Sequence, residues 1–266
     1  MKKAAFVAGF LAVFIAGFWL IAVPVGLITD FLENSVGRED FYIETEGLNK
    51  GLFYNIRAEG VTLKKITGDK DPGTALLILN NVNAGLNITS LLKLSPEVDF
   101  DCDINGGWVS GSVKLTEKGT VIINGSGIRV AGIPLFDQAG IKGDGDISLS
   151  VRLDNGAGEV RFSVDNMKLK NTSLGGVLLP LGLFNDIRGS IFITGGTAEL
   201  KSLALEGDGV YARVKGVISG GKLDLNMELM MDSTFENGYV YRAMLAKYMS
   251  SPGYYVIPVK MNYSRF

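Results

Sequence analysis

Chemistry has few starting points in this 266-residue chain, because it contains no histidine and a single cysteine, Cys102. Those absences remove Ser-His-Asp triads, Cys-His dyads, histidine-ligated and cysteine-rich zinc sites and intramolecular disulfides together. An oxidising compartment is permitted but not indicated. The stretch Asp101-Cys102-Asp103-Ile104-Asn105-Gly106 matches the opening half of an EF-hand loop, whose twelfth position needs a bidentate glutamate. That position is Ser112, and a strand turning at Asn105-Gly106 accounts for the same residues. Gly143-Asp144-Gly145-Asp146 and Gly207-Asp208-Gly209 are acidic, but no dinucleotide fingerprint or βα pattern accompanies them, so they read as turns at strand ends. Carboxylates are plentiful, yet none pair up beside a sugar-binding aromatic cleft. Asn87, Asn124 and Asn171 open Asn-x-Ser/Thr triplets, which matter only in a eukaryotic secretory route. Net charge is −2 with a pI near 5.4, which argues against a nucleic-acid partner. The expectation is a protein that is not an enzyme and uses no metal or cofactor.

The elements that would position any site are strands. From Phe41 onward, apolar residues fall on every second position. Val98, Phe100, Cys102 and Ile104 alternate with Asp99, Asp101, Asp103 and Asn105. Trp108 to Leu115 returns as a partner strand. Ile147, Leu149, Val151 and Leu153 lead through Asn155-Gly156-Ala157-Gly158 into Val160, Phe162 and Val164, the clearest hairpin in the chain. Val210, Ala212 and Val214 form another one-sided run, as do Leu223, Leu225, Met227, Leu229 and Met231. Apolar parity slips by one between Leu200 and Leu203, which predicts a bulge or bend near Lys201 and Ser202.

One apolar and one polar face per strand belongs to antiparallel sheets, and at 12–16 residues per strand and turn the chain holds roughly 14–17 strands. The fold expected is mainly β: a long curved antiparallel meander, shaped as a folded-over groove or flattened barrel, with one or two short helices. Cys102 falls on the apolar side as a small core residue. The apolar side chains either seal against each other or leave an open groove that holds acyl chains; Met227, Met230 and Met231 would suit an adaptable lining. Ser173 to Asp186 is a compact apolar run around Pro180, read as a short helix plugging one end of the β structure or as a loop touching lipid. Phe235 to Met249 has helical spacing at Tyr241, Leu245 and Tyr248. Tyr254 to Tyr263 reads as a last strand, with Pro258 marking an edge or a bulge.

Residues 4 to 28 carry no charge, and as a helix they would span roughly 37 Å, enough for a hydrocarbon core of about 30 Å. Lys2 and Lys3 precede the run, while Asp30 and Glu33 follow it, which places the N-terminus in the cytoplasm. The alternative, a cleaved signal peptide, fits less well because the run is long and no small-x-small site closes it. Phe6, Phe10, Leu11, Phe14, Ile15, Phe18, Trp19 and Leu20 are the anchor residues. Ala8, Ala12 and Ala16 make a small-residue ridge, either a helix-packing seam or ordinary membrane-helix composition. The organisation expected is a cytoplasmic stretch 1–3, a transmembrane anchor 4–28, a helical extension or linker 29–40, and one periplasmic β domain 41–266.

This layout resembles the type II secretion system protein N family (GspN), itself similar to the AsmA/TamB-like proteins. The resemblance rests on the N-terminal anchor, the segment Gly51-Leu52-Phe53-Tyr54-Asn55-Ile56-Arg57, and the Gly-rich strands of 143–164. It rests also on the apolar stretch from Leu174 through Ile218 and the closing Tyr254-Tyr255-Val256-Ile257-Pro258-Val259. It implies a single-pass bacterial inner-membrane protein, with most of the chain periplasmic, supporting secretion across the outer membrane through other secretion-system subunits. The AsmA/TamB relation implies a lipid-binding or lipid-transfer groove for outer-membrane maintenance, with phospholipid or lipopolysaccharide acyl chains as partners. No catalytic residue comes with either relation.

Overall fold

A computed structural model describes residues 24–35, 41–51, 54–66, 73–116, 119–174, 177–233, 235 and 238–262. The anchor residues Phe6 to Leu20 and the ridge Ala8, Ala12 and Ala16 lie outside the described residues. Among the described residues no helix is long and apolar enough to cross a membrane. The chain divides into two compact units, one running to Thr116 with Ile133–Leu135 and the other covering Glu117–Gly132 with Phe136–Phe266. The sequence reading carried a single β domain across 41–266.

Unit 1 begins with helix α1 (Val25–Ser35). An antiparallel meander follows: β1 (Phe41–Glu46), β2 (Asn49–Lys50), β3 (Asn55–Lys65), β4 (Thr74–Leu86), β5 (Glu97–Ile104) and β6 (Gly107–Lys114). β1 and β2 lie along the same side of β3, and the order continues β3-β4-β5-β6. Helix α2 (Ile88–Leu92) sits between β4 and β5. Cys102, Ile104, Val109, Ala58 and Leu76 are buried, and Val98 and Phe100 are half-buried on the same side of β5 as Cys102. On the other side of β5 stands a ladder of amides and carboxylates. Asn81 donates to Asp103 at 2.8 Å, Asn83 to Asp101 at 3.0 Å and Asn87 to Asp99 at 2.8 Å. The aspartates of the EF-hand-like stretch are thus spent on cross-strand hydrogen bonds.

Unit 2 holds β7 (Thr120–Arg129), β8 (Gly143–Asp154), β9 (Ala157–Leu169), β12 (Asp186–Thr194), β13 (Thr197–Gly207), β14 (Val210–Ser219), β15 (Lys222–Met231), β16 (Met249–Ser251) and β17 (Tyr254–Asn262). Each strand pairs antiparallel with the next in the order β7-β8-β9-β12-β13-β14-β15-β17-β16. A separate small hairpin, β10 (Thr172–Leu174) with β11 (Val177–Leu179), is inserted between β9 and β12. Helix α3 (Pro134–Gln138) follows β7, and α4 (Gly238–Met244) follows β15. The chain is therefore mainly β, antiparallel and sequentially wound, with few short helices.

Turn chemistry explains the winding. Asn105-Gly106, Asn155-Gly156, Gly195-Gly196 and Gly220-Gly221 each join two strands with both residues at positive φ. That backbone twist matches the right-handed twist of the strands it joins. Parity slips are absorbed by bulges. The register shifts between Leu200 and Leu203, where the sequence predicted it. In β9 the apolar set passes from Val160, Phe162 and Val164 to Met167 and Leu169 around Asn166, whose φ is +55°. The register of β4 with β5 also shifts around Asn81, whose φ is +51°.

The segment 173–186 packs against the core, as expected of a plug, but not as the short helix first expected. It is the β10–β11 hairpin followed by Pro180 and a 3-10 turn, Leu181–Leu183, with Phe184 only 1% exposed. A Pro180 amid small and branched residues stops a helix from propagating. The C-terminal run is helical at α4 and at the 3-10 turn Ala246–Tyr248, with Leu245 buried and Tyr241 and Tyr248 packed beside it. Pro258 faces outward on β17, beyond the reach of β16, which pairs only as far as Tyr254 and Tyr255. It therefore costs no ladder hydrogen bond on that side.

Candidate functional site: the apolar face of unit 2

The register of unit 2 stacks its inward residues into four rows that cross eight strands. The first runs Ile128, Ile147, Val164, Ile187, Leu205, Ala212, Leu229, Tyr255, and the second Gly125, Leu149, Phe162, Gly189, Leu203, Val214, Met227, Ile257. The third runs Ile123, Val151, Val160, Ile191, Leu200, Gly216, Leu225, Val259, and the fourth Val121, Leu153, Gly158, Ile193, Ala198, Ile218, Leu223, Met261. Tyr255 carries the only hydroxyl among these positions. With strands about 4.8 Å apart and rows about 7 Å apart, the face measures roughly 34 by 20 Å.

Cover over this face is graded. At the first row Ile147, Val164 and Ile187 on β8 to β12 are half-buried, while Leu205, Ala212, Leu229 and Tyr255 on β13 to β17 are fully buried. Their cover comes from elements outside the sheet: Leu181, Leu183 and Phe184 after the small hairpin, Phe136 and Ile141 around α3, and Tyr241, Leu245 and Tyr248 around α4. Gly207 lets the 3-10 turn approach β13, since a Cβ there would lie 2.0 Å from the Leu183 carbonyl oxygen. In the fourth row every described side chain is only half-buried; in the third Leu200 and Val259 are buried, while Ile123, Val151, Val160, Ile191 and Leu225 are half-buried. Gly189 leaves room on the face for Phe162 and Leu203, whose side-chain tips would lie 2.8 and 2.9 Å from a Cβ.

The residues singled out from sequence divide along this gradient. Val210, Val214, Met227 and Leu229 are buried in the core, as is Ile104 in unit 1. Ile147, Leu149, Val151, Leu153, Val160, Phe162, Val164, Leu223 and Leu225 are half-buried on the same apolar face. Met230 points to the other side and is 44% exposed, so it lines nothing on this face. Sequence reading missed the contribution of β12 and β17. Ile187, Ile191 and Ile193 carry the alternation, as do Tyr255, Ile257 and Val259, and both runs were available to the same period-2 test.

The opposite face is mixed, with charged and polar residues among exposed Tyr211, Val217, Met230 and Val256. Around β9 and β12 it holds an open depression of about 590 Å³ lined by Ser148, Ser163, Ser190, Ser202, Arg161 and Arg188 among others. Arg161 pairs with Glu159 at 2.7 Å, which pushes the guanidinium pKa further up. Among the described residues no group of three or more Cys, Asp or Glu side chains is placed to hold a metal ion. The Cys102 thiol is pushed above its ordinary value by burial and then by Asp101 and Asp103, so it is held protonated and unreactive. No family model, curated protein or solved structure matches the chain.

Proposed function

We propose that the chain is a non-enzymatic protein of the bacterial envelope, tethered to the inner membrane by residues 4–28, that holds acyl chains against the apolar face of unit 2. The observation that supports this reading is the cover gradient: one end of an all-apolar face is plugged, while the other keeps its side chains half in water. A purely structural face would gain from being covered throughout, at about 25 cal/mol for each Å² removed from water. The shorter side of the face, about 20 Å along the strands, is enough to span one leaflet of lipid, roughly half of a 30 Å hydrocarbon core. Each methylene held there contributes about 0.8 kcal/mol. The folded-over groove is the shape this role calls for, and phospholipid or lipopolysaccharide acyl chains are its ligands.

A second reading, a type II secretion component acting through partner subunits, is favoured by the edge of β17. Among the described residues, Val256 to Asn262 pair with β15 on one side alone. Such an edge accepts a strand from another chain. The two readings part on lipid content. Full chain purified from membranes in mild detergent is denatured and its organic extract weighed by mass spectrometry. Bound phospholipid that falls several-fold in Val151→Asp, with the fold retained, is the result expected. A lipid-free chain, or equal lipid in the variant, overturns acyl-chain binding and leaves the secretion reading.

A further inference from the structure

The loop between β4 and β5 is built with unusual care for a surface connection. Asn87 caps α2, its side-chain oxygen accepting from the Thr89 and Ser90 amides at 3.1 and 3.2 Å. Its amide group donates to Asp99, so this Asn-x-Thr triplet is accounted for by capping. The Ser90 hydroxyl is buried, donates to the Asn87 carbonyl at 2.6 Å and accepts from the Glu97 amide at 3.0 Å. The helix closes with Leu94 N–H on the Leu91 carbonyl and Ser95 N–H on the Ser90 carbonyl, each at 3.0 Å. That pair of bonds is a Schellman close, in which the residue at Leu94's place is left-handed and usually glycine.

Leu94 occupies it at φ +54° with its side chain 92% exposed. The fold itself gains nothing from leucine there: the backbone is strained and no packing offsets the strain. Ile88 and Leu91, on the same short helix, are 53% and 40% exposed. Leu115, whose amide donates to the Pro96 carbonyl, is 56% exposed beside them. The loop 87–96 contains Lys93 and no acidic residue. Across the base, Lys114 stands opposite Glu97.

We propose that this rigid tip inserts into a lipid surface, Ile88, Leu91, Leu94 and Leu115 entering the acyl boundary and Lys93 staying at the headgroups. Protein docking sites rely on tryptophan, tyrosine and arginine, with leucine under-represented. The tip has none of the three, and its exposed leucine and isoleucine side chains can be taken up by a bilayer that flows around them. It lies at the Asn55–Gly85 end of β3, away from the Phe41–Lys65 end where β1 begins, and about 33 Å separates the two ends. The proposal is independent of acyl-chain binding on unit 2.

The test uses the full chain in amphipol, labelled with an environment-sensitive dye at Thr89→Cys, so that Lys93 is kept; buried Cys102 stays unlabelled. Vesicles of phosphatidylcholine, with and without phosphatidylglycerol, are added. A blue shift of the dye and co-flotation with the vesicles are expected, stronger with phosphatidylglycerol. Leu94→Asp lowers vesicle affinity by more than about tenfold. Leu94→Gly, which relieves the strained backbone and so keeps or raises thermal stability, lowers it as well. Unchanged dye emission with both vesicles overturns the proposal and points to a protein partner. Full binding by Leu94→Gly and Leu94→Asp also overturns it. Loss of lipid from Val151→Asp without change at the tip would fault neither claim, so the two fail separately.

Discussion

Leu229 and Val151 stand on the same face of the same sheet, yet one is 0% exposed and the other half-buried. Leu229→Ala leaves a cavity among Ala212, Tyr255 and the plug residues and costs about 3 kcal/mol, within the range for buried leucines. Val151→Ala should cost less than about 1 kcal/mol, because water already reaches the site. Urea unfolding of both variants checks the contrast, and equal losses would mean that the cover gradient is wrong. Cys102 supplies a pH test. Its folded-state pKa is raised above the ordinary thiol value of 9.0, first by burial and then by Asp101 and Asp103. Its contribution is therefore complete below that value and is lost as pH rises from it toward the folded pKa. Stability of the wild type should fall above pH 9 more steeply than that of Cys102→Ala, read as the difference between their unfolding curves.

At the scale of elements, the strands were legible because alternation survives any particular register. Four hairpin turns are pairs of Asn or Gly at positive φ, so local chemistry and pairing agree. The bulge at Lys201–Ser202 could be read because the apolar residues themselves change parity across it. That at Asn166 leaves the same mark and was overlooked, whereas the unbroken apolar run 75–79 before Asn81 has no parity to change; asparagine is the residue that tolerates the left-handed backbone best after glycine. Asn166→Val should therefore cost about 1–2 kcal/mol, while Asn166→Gly stays near the wild type; thermal unfolding separates them. That 173–186 packs as a plug was legible, but its local structure was not, because a compact apolar run has no period to distinguish a helix from a hairpin with a turn. Its seat on the sheet depends on Gly207, and Gly207→Ala should push the 3-10 turn outward at a cost of about 1–3 kcal/mol. Faster hydrogen exchange at Phe184 and Asn185 would register that displacement.

For the molecule as a whole, sequence located the apolar face but not its degree of cover, since cover depends on elements whose docking no periodicity records. The tip at 87–96 was hidden for a related reason: Ile88, Leu91 and Leu94 look like core residues until the strained Schellman close turns Leu94 outward. The net charge of −2 then sets how this tip should meet a membrane. A chain with that charge has no general attraction for anionic lipid. Lys114 faces Glu97, which leaves Lys93 as the unmatched cation, worth about 1 kcal/mol near an anionic surface. Burying a leucine side chain contributes about 1.5–3 kcal/mol, so insertion outweighs charge even if Leu94 alone enters fully. Raising salt to about 1 M shortens the screening length to about 3 Å and should remove only the lysine share. Vesicle flotation should weaken by no more than about fivefold, where Leu94→Asp costs more than tenfold. A collapse of binding on adding salt, with Leu94→Asp indifferent, would mean that charge rather than the apolar tip brings the chain to the bilayer.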